Sequence, residues 1–211
     1  MNILLLGPQG SGKGTQARIL TEKFNFFYFE SGAYLRKIAE KDEWIRSLLS
    51  EGKLVPDREM TSYLTAFLDS KNLYDDIVFD GFPRTLPQYE FLRNWLREKK
   101  VALDMVLVLK ISEEETIRRL SARRLDPETG EIYNLITDKP PAGVDERKLV
   151  QREDDKPEAI EKRLKLYREQ TEPLISELQK DSKVVEIDGE RSIEEIATDL
   201  EKMVGDFKNG N

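Results

Sequence analysis

The sequence contains neither cysteine nor histidine. Without thiols there is no disulfide and no cysteine nucleophile, and without imidazole the usual neutral-pH base and the common zinc ligand sets disappear too. Any catalysis must use other groups. Long apolar runs are also missing: stretches such as Ile3-Leu4-Leu5-Leu6 are strand-sized, far below the roughly 20 residues that span a bilayer. No basic stretch, apolar core and cleavage site precede the first strand, because Met1-Asn2 leads straight into it, so the expected location is cytoplasmic, with no membrane partner. Acidic residues outnumber basic ones, 41 to 34, giving a net charge of −7. That balance argues against a nucleic-acid polymer as partner.

What is present is an ordinary folding composition, 38% hydrophobic and 36% charged over 211 residues. A chain of this length builds one core that buries about 70% of its unfolded surface, with room for small inserted lobes. Its most informative stretch is Leu6-Gly7-Pro8-Gln9-Gly10-Ser11-Gly12-Lys13-Gly14-Thr15, directly after the first apolar run. Glycines without Cβ let backbone N–H groups converge on an anion, and Lys13 adds positive charge where a helix begins. The general phosphate-binding pattern is Gly, four residues, Gly-Lys, then Ser or Thr. Gly7 and Gly12-Lys13 fit it, whereas Gly14 stands where the hydroxyl belongs and Thr15 supplies one a position later.

Short apolar runs recur at Asn2 to Leu6, Phe26 to Phe29, Ile77 to Phe79, Met105 to Ile111 and Lys183 to Ile187, with amphipathic stretches between them. This alternation predicts an α/β protein with a five-stranded parallel sheet covered by helices. Ser112 before Glu113-Glu114-Glu115 caps one helix, with Ile117, Leu120 and Leu125 as its expected apolar face. Asp155 and Pro157 open another, whose Ile160, Leu164, Tyr167, Thr171, Leu174 and Leu178 recur at helical spacing, with a kink expected at Pro173. Ser192 and Glu195 have capping-box spacing before a last helix carrying Ile196, Leu200 and Val204. The tail from Lys208 to Asn211 is expected to fray. Between Asp126 and Asp155, Pro127, Gly130, Pro140-Pro141 and Gly143 break the pattern. A long irregular insertion in a compact domain suggests a mobile lid.

Two further signals concern chemistry. Asp75-Asp76-Ile77-Val78-Phe79-Asp80 is a strand delivering an acid at its carboxyl end, where ligands of open parallel sheets bind. Beside a phosphate cradle, Asp80 is a candidate for orienting magnesium, usually through water. Arg36, Arg84, Arg119, Arg123, Arg152 and Arg163 lie near predicted helix ends or flank the insertion, placed to converge on one crevice. Guanidinium groups grip phosphate in a bidentate manner and stabilise a phosphoryl group in flight. The missing histidine now informs: a phosphate acceptor is already ionised and needs no base. A cationic site that aligns two mutually repelling phosphates favours a phosphate-to-phosphate kinase, without identifying either nucleotide.

Over nearly its whole length the chain resembles the adenylate kinases. The resemblance is carried by Gly7 to Gln16, Ser31-Gly32 with Leu35-Arg36, Gly52-Lys53-Leu54-Val55, and Asp80-Gly81-Phe82-Pro83-Arg84-Thr85 with Gln88. It continues through Arg119, Arg123-Arg124, Asp126-Pro127-Glu128-Thr129-Gly130 with Tyr133, Arg152 to Asp155, Arg163, Thr171, Pro173 and Leu174. It implies a P-loop three-layer sandwich with a core of residues 1–29, 56–121 and 156–211, a small helical AMP-binding lobe at 30–55 and a β-rich lid at 122–155. The implied reaction is ATP + AMP ⇌ 2 ADP, with magnesium on the ATP side, in a monomeric enzyme.

By the same resemblance, Gly10, Ser11, Gly12, Lys13, Gly14 and Thr15 hold the donor phosphates, with Ile132, Tyr133 and Arg191 near the ATP adenosine. Lys13, Arg84, Arg119, Arg123, Arg152 and Arg163 are the expected catalytic cations. AMP is expected on Ser31, Gly32, Arg36, Lys53, Leu54, Val55, Gly81, Phe82, Pro83, Arg84, Gln88, Arg152 and Arg163. Magnesium is expected near Thr15 and Asp80. An amide such as Gln88 pairs with the donor and acceptor edge of adenine, and relatives that select UMP or CMP lack it. Those pyrimidine kinases are the alternative enzyme reading, and a catalytically impaired nucleotide-binding regulator is the alternative outside enzymes. The sequence departs from the family twice. Ala33 stands where an Asp associated with the hydrated magnesium shell is usual, and the lid lacks the cysteines that hold zinc in some relatives. No zinc is therefore expected, and Asp126, Thr129 and Asp145 are expected to hydrogen-bond across the lid base instead.

Overall fold

A computed structural model describes residues 1–181 and 184–210. Five strands, β1 (Ile3–Leu6), β2 (Phe27–Glu30), β3 (Ile77–Asp80), β4 (Met105–Lys110) and β7 (Val184–Asp188), form one parallel sheet in the order β2-β3-β1-β4-β7. The register places Leu5 beside Asp80 on one side and Leu107 on the other, and Glu30 beside Asp80. The expected strands are all present, shifted by a residue or so at their ends. The proposed start of the last one, Lys183, lies outside the described residues, as does Asn211 in the tail. Asn2, read as strand, sits just before β1 and ties three segments: its amide donates to the Tyr74 and Ala102 carbonyls and accepts from Ile77 N–H.

Successive side chains of a strand point to opposite faces, so each apolar strand feeds two cores. Leu4, Leu6, Phe79, Val106 and Val108 pack under α2 (Ser31–Ala39), α3 (Glu43–Ser50), α4 (Asp57–Ser70), α5 (Leu86–Glu98) and α8 (Glu172–Asp181). Ile3, Leu5, Val78, Leu107 and Ile187 pack under α1 (Lys13–Phe24) and α9 (Ile193–Lys208). The result is the expected three-layer sandwich. Among the described residues no helix is long and apolar enough to cross a membrane.

Two of the helix signals read from the sequence correspond to real caps, whereas the helix opened by Pro157 has Lys156 at its cap with no side-chain bond, and Asp155 pairs with Arg123 instead. Ser112 Oγ accepts the N–H of Glu115 at 3.2 Å and opens α6 (Glu113–Ala122). Ser192 and Glu195 bond reciprocally, 3.3 and 3.1 Å, at the start of α9. Ser192→Ala is expected to cost about 1 kcal/mol and to lower the melting temperature by about 2–4 °C in thermal unfolding followed by circular dichroism. An unchanged midpoint would show that water replaces the cap without loss.

Three expectations need correction. Ile117 is 46% exposed rather than core-facing, because α6 stops at Ala122 and Leu125 belongs to the hairpin β5 (Arg123–Leu125) and β6 (Ile132–Asn134). Thr116 and Leu120 occupy the buried face instead. The irregularity expected at Pro173 appears one turn earlier: α7 (Pro157–Leu166) passes through a π-helical turn, Tyr167–Thr171, into α8. Proline has no N–H to give and its ring crowds the preceding turn's carbonyl, so the ladder widens just before it. Asp126, Thr129 and Asp145 do not join across the insertion. Asp126 caps its own turn through Glu128 N–H at 2.8 Å, and Asp145 pairs with Arg147 at 2.9 Å. Leu125 and Val150 are instead bridged through their backbones, and Lys148 reaches Glu128 at 3.0 Å.

Candidate active site

The loop after β1 is built from left-handed backbone at Gly7, Gly10 and Gly12, with φ of 143°, 81° and 92°. At Gly7 a Cβ would stand 2.4 Å from the Leu109 carbonyl and 2.9 Å from Ser11 Oγ, so no other residue fits. Gly12 caps α1 without a side chain to offer, leaving the first N–H groups of the helix to an anion. Lys13 Nζ folds back over this loop, donating to the carbonyls of Gly7 and Pro8 at 2.9 and 2.8 Å.

A cleft of about 660 Å³ runs along the carboxyl edge of the sheet. It is lined at its centre by Gly10, Ser11, Gly12, Lys13, Gly14 and Thr15, and beyond β2 by Ser31, Gly32 and Arg36 with Lys53, Leu54, Val55 and Gln88. Asp80, Gly81 and Arg84 enter after β3. Arg119, Arg123, Ile132, Tyr133, Arg152 and Arg163 come from α6, the insertion and α7, and Arg191 from the turn after β7. At Gly81, with φ 76°, a Cβ would meet Ser31 Oγ at 2.5 Å, so glycine alone lets the ends of β2 and β3 close on each other. Two expected residues stay out of the cleft. Phe82 is fully buried in the same core cluster as Phe79, where a phenyl ring gains most, and Pro83 faces a small hollow that adjoins the cleft and shares Lys13, Arg84 and Arg163 with it. Together they anchor the turn whose flanking residues, Gly81 and Arg84, reach the cleft.

At the inner end of the cleft six cations, Lys13, Arg36, Arg84, Arg123, Arg152 and Arg163, face four carboxylates, Glu30, Asp80, Asp154 and Asp155. Glu30 holds Arg36 at 2.8 Å. Asp154 accepts from Arg152 at 2.9 Å and from Arg163 at 3.1 Å. Asp155, with no side-chain exposure, accepts from Arg123 Nε at 2.7 Å and from its Nη2. The pairing leaves an excess of two positive charges. Burial lowers the pKa of Arg84, Arg152 and Arg163, each also pushed down by neighbouring arginines. Burial would raise Asp154, yet Arg163, Arg152 and Arg123 outweigh it and hold the acid at about 2. Such a site is poised for an anion of several charges.

Asp80 is itself buried, and burial raises its pKa against the pull of Lys13 and the hydrogen bond from Tyr28. Tyr28 Oη donates to Asp80 at 2.9 Å and lies 3.3 Å from where a Cβ of Gly14 would be. Thr15 and Asp80 offer hard oxygen donors beside the loop, a set that suits magnesium.

Tyr28, Glu30, Asp57 and Asp154 were not among the expected site residues. Tyr28 and Glu30 alternate along β2 in register with Val78 and Asp80, so strand parity alone places them on the loop-facing side. Asp154 follows Arg152 closely enough for local pairing, a signal present in the sequence. Nothing local to Asp57 announces its long-range partners, Thr85 and Gln88.

A family model described as adenylate kinase matches residues 5–183. The adenylate kinase of Petrotoga mobilis is 36% identical over 217 residues, covering 98% of this chain and 99% of the relative. That of Salinibacter ruber is 38% identical over 206 residues, covering 96% and 97%. That of Pyrococcus furiosus is 37% identical over 217 residues, covering 99% and 98%.

Proposed function

The chain belongs to the adenylate kinase family and is a nucleotide phosphoryl-transfer enzyme, and we propose that its donor is Mg-ATP and its acceptor AMP, in the reaction ATP + AMP ⇌ 2 ADP. The observation that carries this reading is the excess of cations gathered between the phosphate loop and the Gln88 side of one cleft. An AMP phosphate oxygen attacks the γ-phosphorus of ATP while the bond to the β–γ bridging oxygen breaks, and both groups are anionic throughout. The N–H groups from Gly10 to Thr15 hold the donor, and Lys13 follows charge toward the transferred group. Arg36, Arg84 and Arg163 align the acceptor, with Arg119, Arg123 and Arg152 over the donor. Thr15 and Asp80 would hold magnesium, through water, and the metal when bound would neutralise charge on the donor phosphates. Segments 30–55 and 122–155 act as the AMP lobe and the lid over a core formed by the rest. Their closure excludes water and so prevents hydrolysis of ATP. The working unit in this reading is a single chain.

Steady-state kinetics over a panel of donors and monophosphates tests the reading. AMP-dependent formation of ADP is expected. AMP-independent phosphate release would overturn the kinase assignment, and a preference for UMP or CMP would overturn the acceptor.

Lys13 adds a pH dependence. Burial pushes its ammonium down to about 8, Asp80 holds it up, and Arg84, Arg163 and Arg123 press it further down. Bound phosphate favours the charged form, so above that pH ATP binding must take up a proton. The dissociation constant for ATP is expected to rise between pH 8 and the ordinary lysine range, by up to about tenfold per unit. Equilibrium titration from pH 7 to 10 checks this, and a flat profile would mean that the Lys13 ammonium keeps its charge through that range.

A further inference from the structure

Gln88 is 2% exposed and its amide is held from two sides. Nε2 donates to Asp57 Oδ1 at 2.7 Å, and Oε1 accepts the backbone N–H of Arg84 at 2.8 Å. The same Asp57 oxygen accepts the Thr85 hydroxyl at 2.9 Å. Thr85, the cap of α5, in turn accepts the Gln88 N–H at 3.3 Å. The partners of the amide have fixed roles. A carboxylate accepts and a peptide N–H donates, so the nitrogen must face Asp57 and the oxygen must face Arg84. The opposite sense would oppose donor to donor and acceptor to acceptor, at a site where water is scarce. With both bonds made, the amide has one N–H and one oxygen lone pair left to offer, in one spatial order only.

That order matters for purines. Adenine presents a donating 6-amino group beside an accepting N1, whereas a 6-oxopurine presents an accepting O6 beside a donating N1–H. A free carboxamide meets either edge by turning half a revolution; a locked one meets a single edge. We propose that Asp57 is a positioning residue that fixes the sense of Gln88 and thereby makes the acceptor site select 6-aminopurine over 6-oxopurine monophosphates. This rests on AMP being the acceptor and on Gln88 meeting its base.

Asp57→Asn can keep its Oδ1 on both donors, Gln88 Nε2 and Thr85 Oγ1, and so serves as the conservative variant in which the sense of the amide is retained. Asp57→Ala removes the acceptor altogether. Dissociation constants for AMP and IMP, measured calorimetrically without ATP on the parent and both variants, test the idea. The parent is expected to prefer AMP by about a hundredfold or more, the ratio is expected to fall by about tenfold in D57A, where the Arg84 N–H alone is left to hold the amide, and D57N is expected to stay near the parent. General loosening of the site would weaken both ligands and leave the ratio unchanged. A preserved ratio in D57A, with the parent still preferring AMP, would overturn the role of Asp57. A parent that does not prefer AMP would overturn the acceptor assignment itself, before any substitution is considered.

Discussion

Replacing Arg84 by alanine is expected to lower kcat by about 10³-fold or more while leaving the melting temperature within a few degrees of the parent. The guanidinium is fixed by its Nε donating to the Gly81 carbonyl at 2.8 Å, next to the last residue of β3. It therefore reaches the cleft without needing a substrate to order it. Burial disfavours its charge and Arg36 repels it, while Asp80, Asp154 and Glu30 attract it. Because burial disfavours the charge, deleting it removes a desolvation cost that offsets the lost packing and the lost attraction to the acids. The fold keeps its core and the reaction loses a positive charge aimed at the transferred group. Steady-state kinetics with Mg-ATP and AMP, together with a thermal melt, separate the two effects. A kcat near that of the parent would remove Arg84 from the transfer centre.

Where a property is local, the chain declares it. Ile3 to Leu6 is apolar on both faces because both faces of β1 are covered. Gly7 to Lys13 needs no distant partner to make an anion cradle, and Ser112 and Ser192 bond within their own first turns. The convergence of six arginines was legible for a different reason: each follows a strand or flanks a helix end, and a parallel sheet brings all its carboxyl ends to one edge.

What stayed hidden depends on tertiary arrangement. Ile117 has the spacing of a core residue, yet the helix ends too soon to bury it and Leu125 together. Phe82 and Pro83 belong to the tract that forms the site, but hydrophobic burial turns them inward and leaves Gly81 and Arg84 to face the cleft. The wide turn before Pro173 is also more than a helix defect, because Thr171 Oγ1 uses it to donate to the Arg84 carbonyl at 3.0 Å. Acids were hardest to read. Asp57 looks like an ordinary first-turn carboxylate of α4, and only the folded chain brings Gln88 to it.

The same dependence on paired acids makes Asp155 the most costly carboxylate to lose. Its side chain has no exposure and it holds Arg123, itself 16% exposed, through two hydrogen bonds, with Arg163 at 3.6 Å. Burial works against the charge on Arg123, but Asp155 outweighs it and raises the pKa of the guanidinium. In Asp155→Ala that charge stays buried and loses its partner, an arrangement that costs about 3–5 kcal/mol. For a chain of this size the melting temperature should drop by about 6–20 °C. The deficit should shrink when ATP is added, because a donor phosphate bound over Arg123 supplies the missing anion and ligand binding adds to stability by mass action. Saturating Mg-ATP is therefore expected to raise the melting temperature of D155A by more than it raises that of the parent. Equal increments in the two proteins would mean that Arg123 does not reach the donor phosphates and that its bond to Asp155 serves the fold alone.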